Sequence, residues 1–216
     1  MGLFKAWASA ALIGLAMAGL DVRAAAANFA SEPASADARY LAQWVLDAHD
    51  HLGQPFVLID KIAARIYVFS PQGQLRGAST ALLGSASGDQ SAPGVGQLRP
   101  KQIPAAQRTT PAGRFASEPG HNSQGEDIVW FDYDAGLALH RLRPAPDREQ
   151  RPARMLSLTP DDHRISLGCV VVPVAFYEAV ISPLLGRQRG VVYVMPETQP
   201  VQALFGRRPL MAALTP

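Results

Sequence analysis

The sequence predicts a mostly β protein, a β-sandwich or an open barrel with one or two peripheral helices. Eighteen glycines and 18 prolines among 216 residues favour a turn-rich β fold over a helical bundle. Short runs rich in aromatic and β-branched residues predict strands over 56–60, 65–69, 74–83, 128–133, 137–142 and 191–195. Many short strands with few helices are typical of sandwiches and barrels.

Two segments have helical features. Residues 36–51 predict an amphipathic helix that begins after Ser35 or at Asp37 and ends before Gly53. Its apolar face is predicted to contain Tyr40, Leu41, Trp44, Val45 and Ala48. A second helix is predicted over 174–185, because Pro173 suits a helix start and Gly186 a helix end. Between the strands, 84–110 and 143–162 are predicted to be irregular loops.

The N-terminus has the layout of a secretory signal peptide. A basic segment, 1–5, precedes an uninterrupted apolar segment, 6–20, and small residues follow at 24–27. Cleavage is expected after about Ala26, with an uncleaved anchor as the alternative. The chain is therefore predicted to be exported, periplasmic or associated with the cell envelope, with no stable membrane span after cleavage. A formal charge of +2 gives no indication of nucleic-acid binding.

The single cysteine, Cys169, is the main candidate for chemistry. Gly168 precedes it directly and allows close approach of a backbone or substrate. His140 ends an alternating run, which turns its side chain away from the core. A thiolate–imidazolium pair of Cys169 and His140 would be a nucleophile with a lowered thiol pKa. The alternatives are a buried structural cysteine and a metal site that adds His163 and Asp161 or Asp162; the irregular spacing argues against the metal.

Four segments together resemble one family. Residues 165–170, ISLGCV, resemble the S-x-G-C-hydrophobic signature of L,D-transpeptidase catalytic domains (the YkuD-like family). Residues 109–115, TTPAGRF, are similar to its T-P-x-G-x-F motif, 56–69 resemble its opening hairpin, and Leu139-His140 resembles the strand end that carries its catalytic histidine. The resemblance covers about 55–197. It divides the chain into a signal peptide (1–26), a linker and helix (27–54), the L,D-transpeptidase-like domain (55–197) and a C-terminal tail (198–216).

The resemblance implies roles for the candidate residues. Cys169 would be the nucleophile and His140, rather than His163, the general acid and base. Ser166 and Gly168 would shape the nucleophile loop or serve an oxyanion. Candidate substrate-binding residues are Arg164, Arg141 and Val171. No cofactor and no metal are expected.

The implied function is a peptidoglycan-modifying L,D-transpeptidase. The thiolate would attack a tetrapeptide stem, D-Ala would leave, and an amine would resolve the acyl-enzyme. An L,D-carboxypeptidase with water as acceptor is one alternative, and a weakly active or non-catalytic domain that binds cell wall is the other. The implied partners are peptidoglycan stem peptides.

Three features depart from the family pattern. Leu167 stands where many members have His, and Val171 stands where a polar residue is expected. If Val171 faces the cleft, it removes a hydrogen-bonding partner, and if it faces the core its identity is a matter of packing. The third departure is an Arg-rich insertion, 143–162, between His140 and Cys169. This insertion could cover the cleft and attract carboxylates, or could be a solvated loop.

Overall fold

A computed structural model describes residues 26–206 of the chain, and its main element is an eight-stranded mixed sheet. The strands are β1 (Phe56–Asp60), β2 (Arg65–Phe69), β3 (Leu75–Thr80), β4 (Leu83–Gly84), β5 (Gly113–His121), β6 (Asp127–Asp132), β7 (Leu137–Arg141), β8 (Arg164–Ser166), β9 (Val170–Val172) and β10 (Gly190–Val194). The helices are α1 (Ala36–Asp47), α2 (Arg151–Leu156), α3 (Val174–Phe176), α4 (Ser182–Leu184) and α5 (Val201–Phe205), with a π-helical stretch, Tyr177–Ile181, joining α3 to α4.

The sheet curves into a nearly closed barrel. Its strand order is β3-β2-β1-β10-β5-β6-β7-β9, and β4 pairs with β8 in a separate two-stranded sheet. The pairs β1–β10 and β7–β9 are parallel, and the other pairs of the large sheet are antiparallel. Leu82, just after β3, exchanges two backbone hydrogen bonds with Val171 of β9, which joins the two edges of the sheet. The prediction of a mostly β fold is confirmed, in its open-barrel form.

Apolar residues pack on both faces of the sheet. Inside the barrel, the side chains of β1, β2, β6, β7, β9 and β10 form one core with Tyr177, Ile181 and Leu185 of the second helical segment. Outside it, Phe56, Leu58 and Tyr193 pack under α1 and α5. Because β1 is buried on both faces, its first four residues, 56–59, are all apolar instead of alternating.

Most predicted elements are confirmed, with differences at a few places. Ser35 caps α1 as predicted, its Oγ accepting a hydrogen bond from the Ala38 N–H at 3.0 Å. The buried face of α1 contains Leu41 and Val45 as predicted, but Tyr40 is exposed. Strand β5 was not predicted, because Gly113–His121 contains two glycines and a proline and lacks regular alternation.

Two segments that the sequence assigns to a linker and a tail contain packed residues. In the first, Phe29 is buried and its ring makes edge contacts with the rings of Tyr67 and Phe69. In the second, α5 buries Val201 and Phe205 beside α1. Both segments therefore add apolar contacts to the outer core.

The signal-peptide prediction falls on residues 1–26 and lies almost wholly outside the described residues. Within 26–206, no helix has the length and apolar character needed to cross a membrane.

Candidate active site

Two neighbouring strands bring Cys169 and His140 to one cavity. Strands β7 and β9 are parallel, with Leu139 opposite Val170 and His140 opposite Val171, and Cys169 directly precedes β9. Leu139 and Val170 point into the barrel core, so His140 points to the other face. A cavity of about 550 Å³ opens there, and both Cys169 and His140 line it. The pairing predicted from the sequence is therefore present in the fold.

The imidazole of His140 is oriented by its own strand. Its Nδ1 lies 2.8 Å from the carbonyl oxygen of Arg141, an acceptor, so Nδ1 carries the proton and Nε2 keeps its lone pair. Burial lowers the pKa of His140 to about 4; the nearby cations Arg143 and Arg151 add to this effect, while the Arg141 carbonyl opposes it. At neutral pH His140 is therefore an uncharged base.

Cys169 is half-buried and is a protonated thiol at rest. Burial raises the pKa of the Cys169 thiol, and it outweighs the lowering effects of the Ala138 backbone, Arg143 and Arg151. Its Sγ lies 3.7 Å from the carbonyl oxygen of Gly136. The expected lowered pKa and resting thiolate–imidazolium pair are wrong for this structure, because the site removes water from both groups.

A buried network shapes the loop before Cys169. Ser166 Oγ accepts a hydrogen bond from the Gly168 N–H at 3.0 Å and donates one to the Cys169 carbonyl at 2.6 Å. Gly168 has a φ of +129°, and a Cβ there would lie 2.7 Å from the Thr109 carbonyl oxygen. Only glycine suits this position. Because its N–H is bound to Ser166, Gly168 shapes the loop but its amide does not face a substrate.

Thr110 braces the loop before Cys169, a position that was not inferred from the sequence motif that contains it. Its fully buried side chain donates a hydrogen bond to the Gly168 carbonyl at 2.9 Å and accepts one from the Gly84 N–H at 2.9 Å. It therefore joins the nucleophile loop to the start of the long loop 84–110. The 109–115 motif contains this threonine and could have indicated it, but its hydrogen-bond partner, Gly168, lies 58 residues away in the sequence.

The three candidate substrate-binding residues do not line this cavity. Arg164 forms an ion pair with Glu197 and donates to the carbonyl of Lys61 at 3.1 Å. Arg141 lies over the ring of Tyr177, with its Cζ 4.7 Å from the ring centroid. These guanidinium groups hold secondary-structure elements together, and their contact with substrate stays a prediction.

Val171 is fully buried and does not line the cavity, although it lies on the same face of the sheet as its neighbour His140. It packs against Leu82 and Met155, while Val170 and Val172 point into the barrel. The cleft-facing interpretation of Val171 is corrected, and its departure from the family pattern is a matter of packing under α2.

The other histidines are structural or exposed. His163 is buried, and its Nε2 lies 3.1 Å from the Ser157 carbonyl oxygen. His51 is buried between the carbonyls of Val45 and Pro71, and His121 is exposed beside Asp127. No group of three or more His, Cys, Asp or Glu side chains in the described part of the chain could hold a metal ion.

The insertion 143–162 forms one wall of the cavity. It contains α2 and two short helical turns, so it is more ordered than a solvated loop. Arg143, Glu149 and Arg151 of this insertion line the cavity together with Leu167. The insertion therefore lines the cavity instead of lying apart from it.

Solved structures with a similar fold are L,D-transpeptidases. They include the Ldtfm–avibactam carbamoyl enzyme (16% identity, 67% of this chain and 49% of that one, TM-score 0.38). An L,D-transpeptidase of Xylanimonas cellulosilytica is 18% identical over 65% of this chain and 60% of its own, with a TM-score of 0.39. The catalytic domain of the E. faecium L,D-transpeptidase is 17% identical over 67% of this chain and 99% of its own, with a TM-score of 0.36.

This chain spans about half of the length of the Ldtfm–avibactam enzyme. It spans about three-fifths of the Xylanimonas cellulosilytica structure. No protein-family model matches the chain, and no curated protein matches it in sequence.

Proposed function

We propose that this protein is an exported L,D-transpeptidase that modifies peptidoglycan, with Cys169 as nucleophile and His140 as general acid and base. The observation that carries the proposal is the cavity that Cys169 and His140 share on neighbouring strands. The loop motif held by Ser166, Gly168 and Thr110 supports it, because this bracing fixes the backbone on either side of the nucleophile.

The neutral resting pair defines the first chemical step. As the Cys169 sulfur attacks the carbonyl carbon of the stem peptide, its proton passes to Nε2 of His140. The Arg141 carbonyl then stabilises the imidazolium through Nδ1–H. The Cys169 N–H is the candidate donor to the developing oxyanion, since the Gly168 N–H is bound by Ser166.

The second half of the reaction returns the enzyme to its resting state. The carbon–nitrogen bond breaks, and imidazolium gives its proton to the nitrogen of the departing D-Ala. An acceptor amine attacks the thioester and loses a proton to His140, and the thiol re-forms as the new amide is released.

Incubation of the protein with tetrapeptide-stem fragments tests this function. Release of D-Ala, with a covalent adduct on Cys169 by intact mass, is the expected result. Cys169→Ala should abolish both, and His140→Gln should lower the acylation rate by about 10²–10⁴-fold. His121→Gln is the matched control, because His121 is exposed and lies outside the cavity, and it should leave the rate unchanged.

The products distinguish the alternatives. A cross-linked product with an added amine supports the transpeptidase, and a tripeptide released by water supports the L,D-carboxypeptidase. If no acyl-enzyme forms on any stem peptide, the domain binds cell wall without turnover and the proposal is wrong.

A further inference from the structure

Two arginines stand in the wall of the cavity that contains Cys169. Arg143 and Arg151 both line it, and their side chains are 29% and 18% exposed. Both belong to the insertion 143–162. The proposed chemistry uses neither residue, so their presence beside the nucleophile has to be explained by something else.

Each arginine has an acidic partner at its Nε edge only, by a hydrogen bond in Arg151 and by an ion pair in Arg143. Arg151 Nε donates to Glu149 Oε2 at 2.6 Å, and Arg143 Nε lies 2.8 Å from Glu126 Oε2. Among the described residues, no hydrogen bond or ion pair involves the terminal Nη1 and Nη2 groups of either side chain. Arg154 of the same insertion differs, because it donates to the backbone carbonyls of Glu149 and Asp162.

The lining carries one more positive than negative charge, because Glu126, the partner of Arg143, lies outside it. Glu149 is the one acidic residue among the described residues that line the cavity, against the two arginines. His140 is uncharged at neutral pH and adds no positive charge. The terminal edge of a guanidinium matches the two oxygens of a carboxylate, so an arginine whose acidic partner lies at Nε keeps its Nη groups for a bidentate contact.

We propose that Arg143 and Arg151 form a carboxylate-binding subsite beside Cys169. Resting on the proposed function, the subsite selects a donor peptide that carries a free carboxylate next to the amide that is cleaved. Two groups of such a peptide have this chemistry, the terminal carboxylate of the departing residue and a side-chain carboxylate of the residue that is acylated.

Alkylation of Cys169 by two reagents of nearly equal size tests the subsite without any transpeptidase activity. Iodoacetate is anionic and iodoacetamide is neutral; in both, the Cys169 thiolate displaces iodide. Since Cys169 is the single cysteine, the rates report this site alone. The ratio of the two rates at one pH cancels the thiolate fraction and leaves the effect of charge.

The variants are expected to move this ratio in opposite directions. Arg143→Gln/Arg151→Gln should lower the iodoacetate-to-iodoacetamide ratio by about three- to tenfold, because it removes two nearby positive charges. Glu149→Gln should raise the ratio, which loss of folding would not do. Arg148→Gln is the matched control, since this exposed arginine of the same insertion does not line the cavity. A ratio that stays unchanged in both test variants would overturn the proposal.

Stem peptides amidated at one carboxylate identify the source. If the subsite binds a given carboxylate, the peptide amidated at that carboxylate should have a higher KM than the unmodified peptide in the wild type. In Arg143→Gln/Arg151→Gln the two peptides should have the same KM. If neither amide raises KM while D-Ala is released, the substrate part of the proposal is wrong and the proposed function stands. If no peptide is acylated, the proposed function fails, and the alkylation ratio still decides the subsite.

Discussion

At the scale of single residues, the candidate site depends on two neutral groups in a poorly solvated cavity. Burial moves the pKa of Cys169 up and that of His140 down, so both effects favour the uncharged pair. A cysteine–histidine site of this kind transfers the thiol proton during attack rather than before it. The low pKa keeps His140 in its basic form over a wide pH range.

The pKa of His140 predicts a pH dependence of stability. An unfolded histidine titrates near about 6.5, and His140 in the fold titrates at about 4. As the pH falls between these values the unfolded state binds the proton first, so the free energy of unfolding decreases, by at most about 1.4 kcal/mol per pH unit. Urea unfolding at several pH values should show this loss in the wild type and a smaller loss in His140→Gln.

The range above pH 7.5 is the internal control for this experiment. His140 is neutral there in both states, so the two proteins should share the same slope. A loss between pH 6.5 and 4 that is identical in His140→Gln would contradict the assignment.

Thr110 leads to a second prediction at this scale. Thr110→Val keeps the shape of the side chain but removes the hydroxyl that joins Gly168 and Gly84. We expect a loss of about 1–3 kcal/mol in the free energy of unfolding, because two buried backbone groups lose their partner. The alkylation rate of Cys169 should also change, since the nucleophile loop is released.

Thr110→Ser restores the hydroxyl and distinguishes this role from packing. It should recover the wild-type alkylation rate while losing only the contacts of one methyl group. If Thr110→Ser alkylates like Thr110→Val, the hydroxyl does not position the loop.

At the scale of elements, the two-residue alternation of β9 separates the barrel core from the contact with α2. Val170 and Val172 point inward, and Val171 packs outward on Leu82 and Met155. The contact with α2 therefore favours an apolar residue at 171.

This pairing predicts that Val171→Asn destabilises the protein. An amide placed in this apolar contact loses its water without gaining a partner, and the apolar contacts of Val171 are lost as well. We expect the free energy of unfolding to fall by about 2–4 kcal/mol. Chemical denaturation measures the loss, and Val171→Ile is the control that keeps the site apolar. A stable Val171→Asn with faster D-Ala release would support a cleft-facing residue instead.

The sequence predicted the elements whose patterns are local. Apolar runs predicted β1, β2 and β10, and a capping side chain predicted the start of α1. It missed β5, whose glycines and proline break the strand pattern; Pro119 is tolerated because its part of β5 pairs only with β6, while β10 pairs with residues 113–117. The candidate residues Cys169 and His140 were predictable, because strand alternation indicates the direction of His140 and a short motif contains Cys169.

Other features depended on contacts between distant segments. The partner of Thr110 is 58 residues away, and the burial of Val171 comes from α2 and Leu82. The pKa values could not be inferred from a Cys–His pairing, because desolvation by the whole cavity determines them.

At the scale of the whole molecule, a buried ionic cluster joins four distant segments. Lys61, which follows β1, is fully buried with its Nζ 2.7 Å from Asp89 Oδ1 and 3.3 Å from Glu197 Oε1. Glu197 follows β10 and also pairs with Arg164 of β8. Lys61 Nζ donates to the Thr110 carbonyl at 3.1 Å as well. The cluster thus connects the barrel to the long loop 84–110 and to the residue that braces Gly168.

Removal of the buried charge tests the importance of this cluster. Lys61→Met leaves Asp89 and Glu197 without their shared cation, and we expect a loss of about 3–5 kcal/mol in the free energy of unfolding. Arg189→Gln is the matched control, because Arg189 and its partner Glu118 are largely exposed and such a pair contributes about 0–1 kcal/mol. Similar losses in the two variants would show that burial gives the cluster no special role.

The acid side of the stability curve gives the same cluster a second test. Burial alone would raise the pKa of Asp89, but hydrogen bonds from Lys61, from the Thr198 hydroxyl and from the backbone of Glu197 and Thr198 outweigh it and hold this pKa well below its usual range. An unfolded aspartate titrates near about 3.9, so the stabilisation from Asp89 is complete above that pH and is lost as the pH falls below it. Between pH 5 and pH 3 the free energy of unfolding should fall steeply in the wild type and less steeply in Lys61→Met. Without Lys61, the pKa of Asp89 in the folded protein lies closer to its value in the unfolded chain. Equal losses in both proteins would mean that other carboxylates control the acid stability of the fold.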